Sequence, residues 1–374
     1  MGKSRHVTTE LTLPTATRDR PTSPQSPDLD RAGARTRSRG GSDFKPLVDQ
    51  IKAADLMRPR IGWYVRYGAL IVVLLAAVVA GVVLLSGSWL VLLVAPVAAL
   101  VSAQLGFFGH DAGHHQITSN RRASHLIGLV TGNILSGLSF GWWQDKHTRH
   151  HANPNHEGLD PDVGEGIISW SDRQHEKKTG WARWMANHQA WLFFPLLTFE
   201  GWQLKVAGLR SLRERPRGAR IVEAALLVVH YAVYFGVLFT LLPVPHALLF
   251  IAIHQAVYGL LLGCAFAPNH KGMEMPEPGT KLDHMRKQVL TARNIRSSWY
   301  TNFMLGGLNF QIEHHLFPSM ARPNVRLAQP IIRSYCAEIG LSYRECGVVE
   351  SYAQCLSHLD HVGHSGAKQA VPVG

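Results

Sequence analysis

WLVLLVAPVAALVSAQLGFFGHDAGHH, residues 89–115, runs an apolar stretch of membrane length straight into three histidines. A bilayer span needs about 20 mostly apolar residues, and Trp89 to Phe108 carries no charge. His110 and His114 follow at i and i+4, so both leave the same face if the helix continues past the membrane. His115 points elsewhere and is a doubtful ligand. Imidazole is a nitrogen ligand for iron, copper or zinc. The segment therefore reads as a membrane helix that delivers a metal ligand pair at the bilayer surface.

The same design recurs outward from this segment. Tyr64 to Leu85 is an apolar run interrupted only by Arg66, joined to the first through Ser86-Gly87-Ser88. Ile221 to Leu242 and His246 to Ala267 form a second pair, joined at Pro243-Val244-Pro245. Arginines precede each pair: Arg58, Arg60 and Arg66 before one, Arg210, Arg213, Arg215, Arg217 and Arg220 before the other. Arg121, Arg122 and Lys271 follow them. By the positive-inside rule both uncharged tips are extracytoplasmic and both chain termini cytoplasmic. The expected fold is an all-α integral membrane protein. Two transmembrane helical hairpins, about four spans, carry a cytoplasmic helical metal-binding cap.

Shorter apolar stretches, Leu126 to Phe140 and Trp191 to Trp202, read as re-entrant or interfacial helices. Trp142, Trp143, Trp170, Trp181 and Trp184 read as interface anchors. Residues 1–44, rich in Ser, Thr, Pro and Arg, are expected to be a disordered basic tail without a signal peptide. Residues 45–321 form the membrane domain, and 322–374 add C-terminal cytoplasmic helices, breaking near Gly340, and a frayed tail. The net charge of +12 fits anionic lipid better than nucleic acid, since no nucleic-acid module is recognisable. Cys264, Cys336, Cys346 and Cys355 lack zinc-ribbon spacing and suit a reducing compartment.

Two further clusters lie on the same side of the bilayer: His147-Thr-Arg-His150-His151 and Gln311-Ile-Glu-His314-His315. Both have i, i+3, i+4 spacing, which lets the outer pair face one metal and the middle residue another. His270 follows the fourth span at the depth of His110. Gln311 reaches a metal through its carbonyl, through a water, or only hydrogen-bonds a ligand; the spacing leaves these open. Asp111 is placed to accept the second N–H of a ligating imidazole, and Glu313 and Asp145 are candidates to orient or bridge. His230 and His254, inside spans, read as interhelical hydrogen bonds. So many imidazoles exceed what one four-coordinate zinc uses. Two ions with open positions fit better, with iron favoured and copper not separated from it by spacing.

The order His-x-x-x-His, His-x-x-His-His, Gln-x-x-His-His, interleaved with two membrane hairpins from Tyr64 to Pro318, resembles the integral-membrane fatty acid desaturases. Gly109 to Gln116, with His147 to Asp162, looks like bacterial members. The glutamine-led third box looks like that of desaturases acting between an existing double bond and the carboxyl end. The resemblance implies a non-haem di-iron centre held by His110, His114, His147, His150, His151, His270, His314 and His315, with Gln311 where relatives have a ligand. It implies O2 as co-substrate, two electrons, a fatty acyl substrate (acyl-CoA or acyl-lipid) and a cis double bond as product. It also implies an acyl tunnel, for which Gly141, Trp142, Trp143 and Trp299 are candidate lining. The expected location is a bacterial plasma membrane, with the active site cytoplasmic. His-Pro-Gly-Gly, the mark of a fused haem domain, is absent, so the donor is expected to be a separate ferredoxin or flavin reductase. A hydroxylase or ketolase of the same scaffold, acting on alkanes, sphingoid bases or carotenoids, shares this spacing. A histidine-rich metal transporter would place its ligands within the spans.

Overall fold

In a computed structural model, residues 43–365 are described. Residues 1–42 of the expected N-terminal tail and the last nine residues lie outside them, and Phe44, at the end of that tail, already begins a helix. Among the described residues four helices are long and apolar enough to cross a membrane. They are α2 (Ile61–Leu84), α3 (Val94–Gly113, led in by a short 3-10 turn Trp89–Leu93), α10 (Arg217–Leu241) and α11 (Val244–His270). The all-α membrane fold read from the sequence is the fold observed.

The two helices of each hairpin differ in burial. In α2 and α10, 17% and 11% of the apolar window is buried; for the segments containing α3 and α11 the shares are 50% and 44%. The return helices thus form the centre, and they are the ones that end in His110 and His270. Their contact is tight because small residues allow it. Ala99, Ala103 and Ala265 are fully or almost fully buried in one cluster with Phe107, Tyr258 and Leu262.

The weak stretch after α3 folds back on itself. Asn120 caps α4 (Arg121–Leu129) by accepting from the Arg122 and Ala123 amides. A π-helical turn, Val130–Ser136, continues it. Gly137, at φ +67°, then turns the chain into α5 (Phe140–Ala152). The pair is bent by 114°, so it turns back instead of running straight. Carbonyls at such a turn need donors when water is excluded. His230 Nδ1 donates to the Ile134 carbonyl at 2.8 Å, Tyr231 to the Gly137 carbonyl at 2.9 Å, and Lys205 to the Ser136 carbonyl. His230 is therefore a hydrogen-bonding residue, as its position in a span suggests. His254 lies between Ser102 (3.1 Å) and Tyr234 (2.7 Å).

The N-terminus of α5 is tied to α10 through buried Glu223. Its carboxylate accepts from Ser139 Oγ at 2.6 Å and the Gly141 amide at 3.2 Å, and pairs with Arg215 at 2.8 Å.

Short helices α6 (Asp172–Glu176), α7 (Gly180–Asn187), α8 (Gln189–Leu197) and α9 (Glu200–Ser211) follow α5. The aromatic stretch at Trp191 spreads over α8 and α9, with Trp181, Trp184 and Trp191 exposed.

Beyond α11 the chain is a polar-surfaced cap. It comprises α12 (His284–Leu290), α13 (Trp299–Met304), α14 (Gln311–Leu316), α15 (Arg322–Glu338) and α16 (Val348–His364). The expected break near Gly340 is observed, with Gly340 at φ +71°. Strands β1 (Asn294–Ile295) and β2 (Glu345–Cys346) pair in parallel. The N-terminal helix α1 (Phe44–Ala53) packs Leu47 and Ile51 into one core with α12, α14 and α15.

Candidate metal centre

Four separate pieces of chain bring the site histidines together. His110 occupies the last helical turn of α3, and His114 is its C-cap. α5 presents His147, His150 and His151; α14 presents Gln311, His314 and His315; His270 ends α11. Among the described residues two all-histidine groups of ligand atoms result, with all atoms in each group within 4.8 Å of one another, and His150 also groups with Asp160 and Asp162. The first is His110, His114, His147 and His314. The second is His150, His270 and His315.

The i, i+3, i+4 triplets divide in part as the spacing suggests. His147 joins the first group and the middle residue His150 the second; His315 joins the second and the middle residue His314 the first. His151 lies between the groups, its Nε2 3.1 Å from His147 Nε2 and its ring stacked on His315 at 4.3 Å. Gln311 Nε2 is 2.9 Å from His270 Nε2, while its Oε1 faces Asn269 at 3.3 Å. Gln311 thus lies against a ring nitrogen of the second group.

The site can accept metal. The Nε2 atoms of His110, His114, His314 and His315 are buried with no hydrogen-bond partner. Buried polar atoms are almost always satisfied, so four converging bare imidazole nitrogens fit a cation. Burial, reinforced by the neighbouring histidines, holds His114, His147, His151, His314 and His315 well below the usual imidazole range. At neutral pH their lone pairs are free of protons, as metal binding requires.

The opposite ring nitrogens are fixed by other groups. His110 Nδ1 donates to Asp111 at 3.2 Å, and Asp111 is paired with Arg322 at 2.7 Å and accepts from Tyr64 at 3.1 Å. His150 Nδ1 donates to Asp160 at 2.9 Å. Burial raises the Asp160 carboxyl, but His150 outweighs it and holds the group below the usual carboxylate range. His270 Nδ1 donates to the Thr291 carbonyl, and His315 Nδ1 to Gln288 Oε1, each at 2.9 Å.

Asp111 thus holds the position its sequence neighbourhood suggests. Asp160, Gln288 and Thr291 carried no role in the sequence reading, and nothing in their local pattern marks them. Glu313 and Asp145 do not face the metal groups. Glu313 is fully buried against Tyr343 and Asn294, 2.6 Å from each, and burial pushes its carboxyl up to about 7. Asp145 is exposed and pairs with Arg215 at 2.7 Å.

His115 belongs to neither group. It takes the left-handed position, φ +59°, just past α3. Its amide bonds the Ala112 carbonyl, and the Gln116 amide bonds the Asp111 carbonyl. These are the two bonds of a Schellman helix end, which explains why its ring leaves the ligand face. Among the candidate tunnel residues, Trp143 stacks on His147 at 4.7 Å. A Cβ on Gly141 would lie 2.1 Å from Arg215. Trp299 is exposed.

Comparison with known proteins agrees with this geometry. A sequence profile described as fatty acid desaturase matches residues 87–347. The chain is 30% identical over 283 residues to the acyl-lipid (9-3)-desaturase of Physcomitrium patens, covering 72% of this chain and 53% of that protein. It is 30% identical to Delta(8)-fatty-acid desaturase 2 of Arabidopsis thaliana, covering 73% and 64%, and 31% identical to the Delta(6)-fatty-acid desaturase fat-3 of Caenorhabditis elegans, covering 73% and 65%. The chain thus spans between about half and two thirds of the length of these relatives. With the match running through all three histidine clusters, the chain belongs to the fatty acid desaturase family.

Proposed function

We propose that this protein is an O2-dependent fatty acyl desaturase that introduces a cis double bond into an acyl-CoA or acyl-lipid chain. His110, His114, His147 and His314 would hold one iron. His150, His270 and His315 would hold the other, with His151 at the boundary and Gln311 beside His270. The carrying observation is the pair of adjacent imidazole groups with buried, unpartnered Nε2 atoms. The bound iron pair supplies the oxidant: one O2, two electrons and two protons remove two hydrogens from adjacent methylenes, leaving a double bond and two waters. Electrons come from a separate donor protein, a ferredoxin or a flavin reductase. Charge asymmetry supports a cytoplasmic active site, and the motif resemblance is the ground for a bacterial plasma membrane.

The chain's own residues do the rest. Asp111, Asp160, Gln288 and the Thr291 carbonyl orient the rings. Burial keeps the ligands neutral. Trp143, packed on His147 and edge-on to His110 at 5.5 Å, shields the first group. A conformationally fixed, water-poor site strengthens electrostatic control and limits side reactions.

The test is expression in a host with simple lipids, followed by fatty-acid profiling with double-bond location and iron analysis. About two irons per chain and a new unsaturated acid are expected. His150→Ala and His315→Ala should each abolish the product while the protein still inserts in the membrane. A hydroxylated or keto product would replace the reading with its oxygenase alternative. Wild-type turnover in either variant would refute the ligand set.

A further inference from the structure

We infer that residues 288–294, the last turn of α12 and the segment that runs from it into β1, form a strap that orients the second imidazole group, and that Gln288 is its key positioning residue, fixing the tautomer of His315. The inference rests on the metal-centre reading above and goes beyond it to residues with no ligand role.

The logic follows from hydrogen-bond donors and acceptors. Gln288 is buried. Its Nε2 lies 2.9 Å from the backbone carbonyl of His151. A carbonyl only accepts, so the amide nitrogen must face it and Oε1 must face the other way. That oxygen is 2.9 Å from His315 Nδ1. An amide oxygen also only accepts, so His315 must carry its hydrogen on Nδ1. The lone pair is then on Nε2, which is buried without a partner and lies in the second ligand group. One backbone carbonyl on α5 thereby sets the tautomer of a ring on α14, with Gln288 as the relay.

Thr291 repeats the logic. Its carbonyl accepts from His270 Nδ1, leaving His270 Nε2 as the acceptor. Arg293, 1% exposed, donates to the Pro268 carbonyl at 2.5 Å, the Gln354 side chain at 2.6 Å and the Lys271 carbonyl. It neutralises the carbonyl end of α11, where a cation is favoured, and so anchors the turn bearing His270. Asn294 accepts from the Ile312 amide at 2.9 Å and donates to Glu313 at 2.6 Å, which fixes the start of α14. Seven residues thus contact every element that bears a second-group ligand. Gln288 reaches α5 and α14, Thr291 and Arg293 reach α11, and Asn294 reaches α14. The first group is dressed differently, its only carboxylate partner being Asp111 on His110.

Second-layer partners of ligating histidines are worth about 10- to 100-fold in metal affinity. Gln288→Met keeps the volume and removes both hydrogen bonds. Gln288→Glu keeps an acceptor for His315. The full chain in detergent is titrated with ferrous iron, and iron per chain is measured by mass spectrometry, with circular dichroism and size exclusion as checks of fold. The wild type should reach about two irons. Gln288→Met should hold about one at limiting iron and regain the second only at about 10- to 100-fold higher free iron. Gln288→Glu should retain two. Wild-type binding in Gln288→Met, parallel loss of both irons by a folded variant, or loss of the second iron in Gln288→Glu would each overturn the positioning role. Should Gln288→Met fail to fold, the same titration on Gln288→Leu, which also removes both hydrogen bonds, carries the same expected loss and the same refuting results. A wild type that does not bind two irons would sink the metal-centre reading itself, which the variants then share.

Discussion

Arg322 and Asp111 form an ion pair inside the protein, and separating its two halves offers a quantitative test of how the first imidazole group is supported. The side chains are 11% and 3% exposed and 2.7 Å apart. Arg322 also donates to the Phe107 carbonyl at 3.1 Å and lies over the Tyr67 ring at 5.0 Å. Asp111 holds His110 with its other oxygen. Arg322→Met removes the cation and leaves a buried carboxylate, which costs about 3–5 kcal/mol. Asp111→Asn leaves a buried guanidinium, at a similar cost of about 3–5 kcal/mol. The double variant leaves neither charge. It loses the bond to the Phe107 carbonyl and the contact with Tyr67, each worth about 1 kcal/mol, while the Asn amide keeps an oxygen for His110.

The double variant should therefore be less damaged than the sum of the singles by about 4 kcal/mol or more, at or above the upper end of the usual range for residues in direct contact, about 3 kcal/mol. Equilibrium unfolding of the four proteins in detergent, followed by circular dichroism, measures this difference. Additivity within about 0.5 kcal/mol would show that the two side chains do not sense each other, and the support assigned to His110 would be wrong.

Two other outcomes follow from the same geometry. His115→Gly should leave iron content unchanged and alter stability by no more than about 1 kcal/mol, because the left-handed position costs a residue with a Cβ about what glycine loses in chain entropy; loss of iron in this variant would make His115 a ligand after all. For pH, His314 and His315 are held well below the ordinary value by burial and then by neighbouring histidines. The unfolded chain binds more protons below about pH 6.5, so stability of the metal-free protein should be flat above neutrality and fall as pH drops, by about 1.4 kcal/mol per unit for each such histidine; a denaturation series from pH 8 to 5 with no decline would refute their neutral burial.

The fold was legible where apolar length carries the information. All four spans were readable, with ends within a few residues, because a helix in lipid must be long and uncharged. The bent pair around Gly137 was only half legible. Its apolar stretch of Leu126 to Phe140 is too short to span, but its return depends on donors from Lys205, His230 and Tyr231. Those residues are distant in sequence, and each has a bland local reading. α1 carries no reading of its own in the sequence, because Leu47 and Ile51 are sparse apolar signals. Only their packing against α12, α14 and α15 shows what they bury against.

The site divides the same way, for a chemical reason. Ligands announce themselves because one residue type does the work, and it recurs at helical spacing; His110, His147 and His314 need no structure to be noticed. The groups that aim them share no chemistry beyond accepting one hydrogen. For His110 the acceptor is a carboxylate one residue away, so Asp111 was visible from its neighbour. For His150 it is the carboxylate of Asp160, for His315 the amide of Gln288, for His270 the backbone oxygen of Thr291. A backbone oxygen has no sequence signature at all, and a lone glutamine 27 positions from its histidine has none that local periodicity can detect. The orienting layer is therefore a property of how the cap folds over the ends of α3 and α11. It follows that substitutions at 288–294 can alter the metal centre without touching any histidine that a motif would mark.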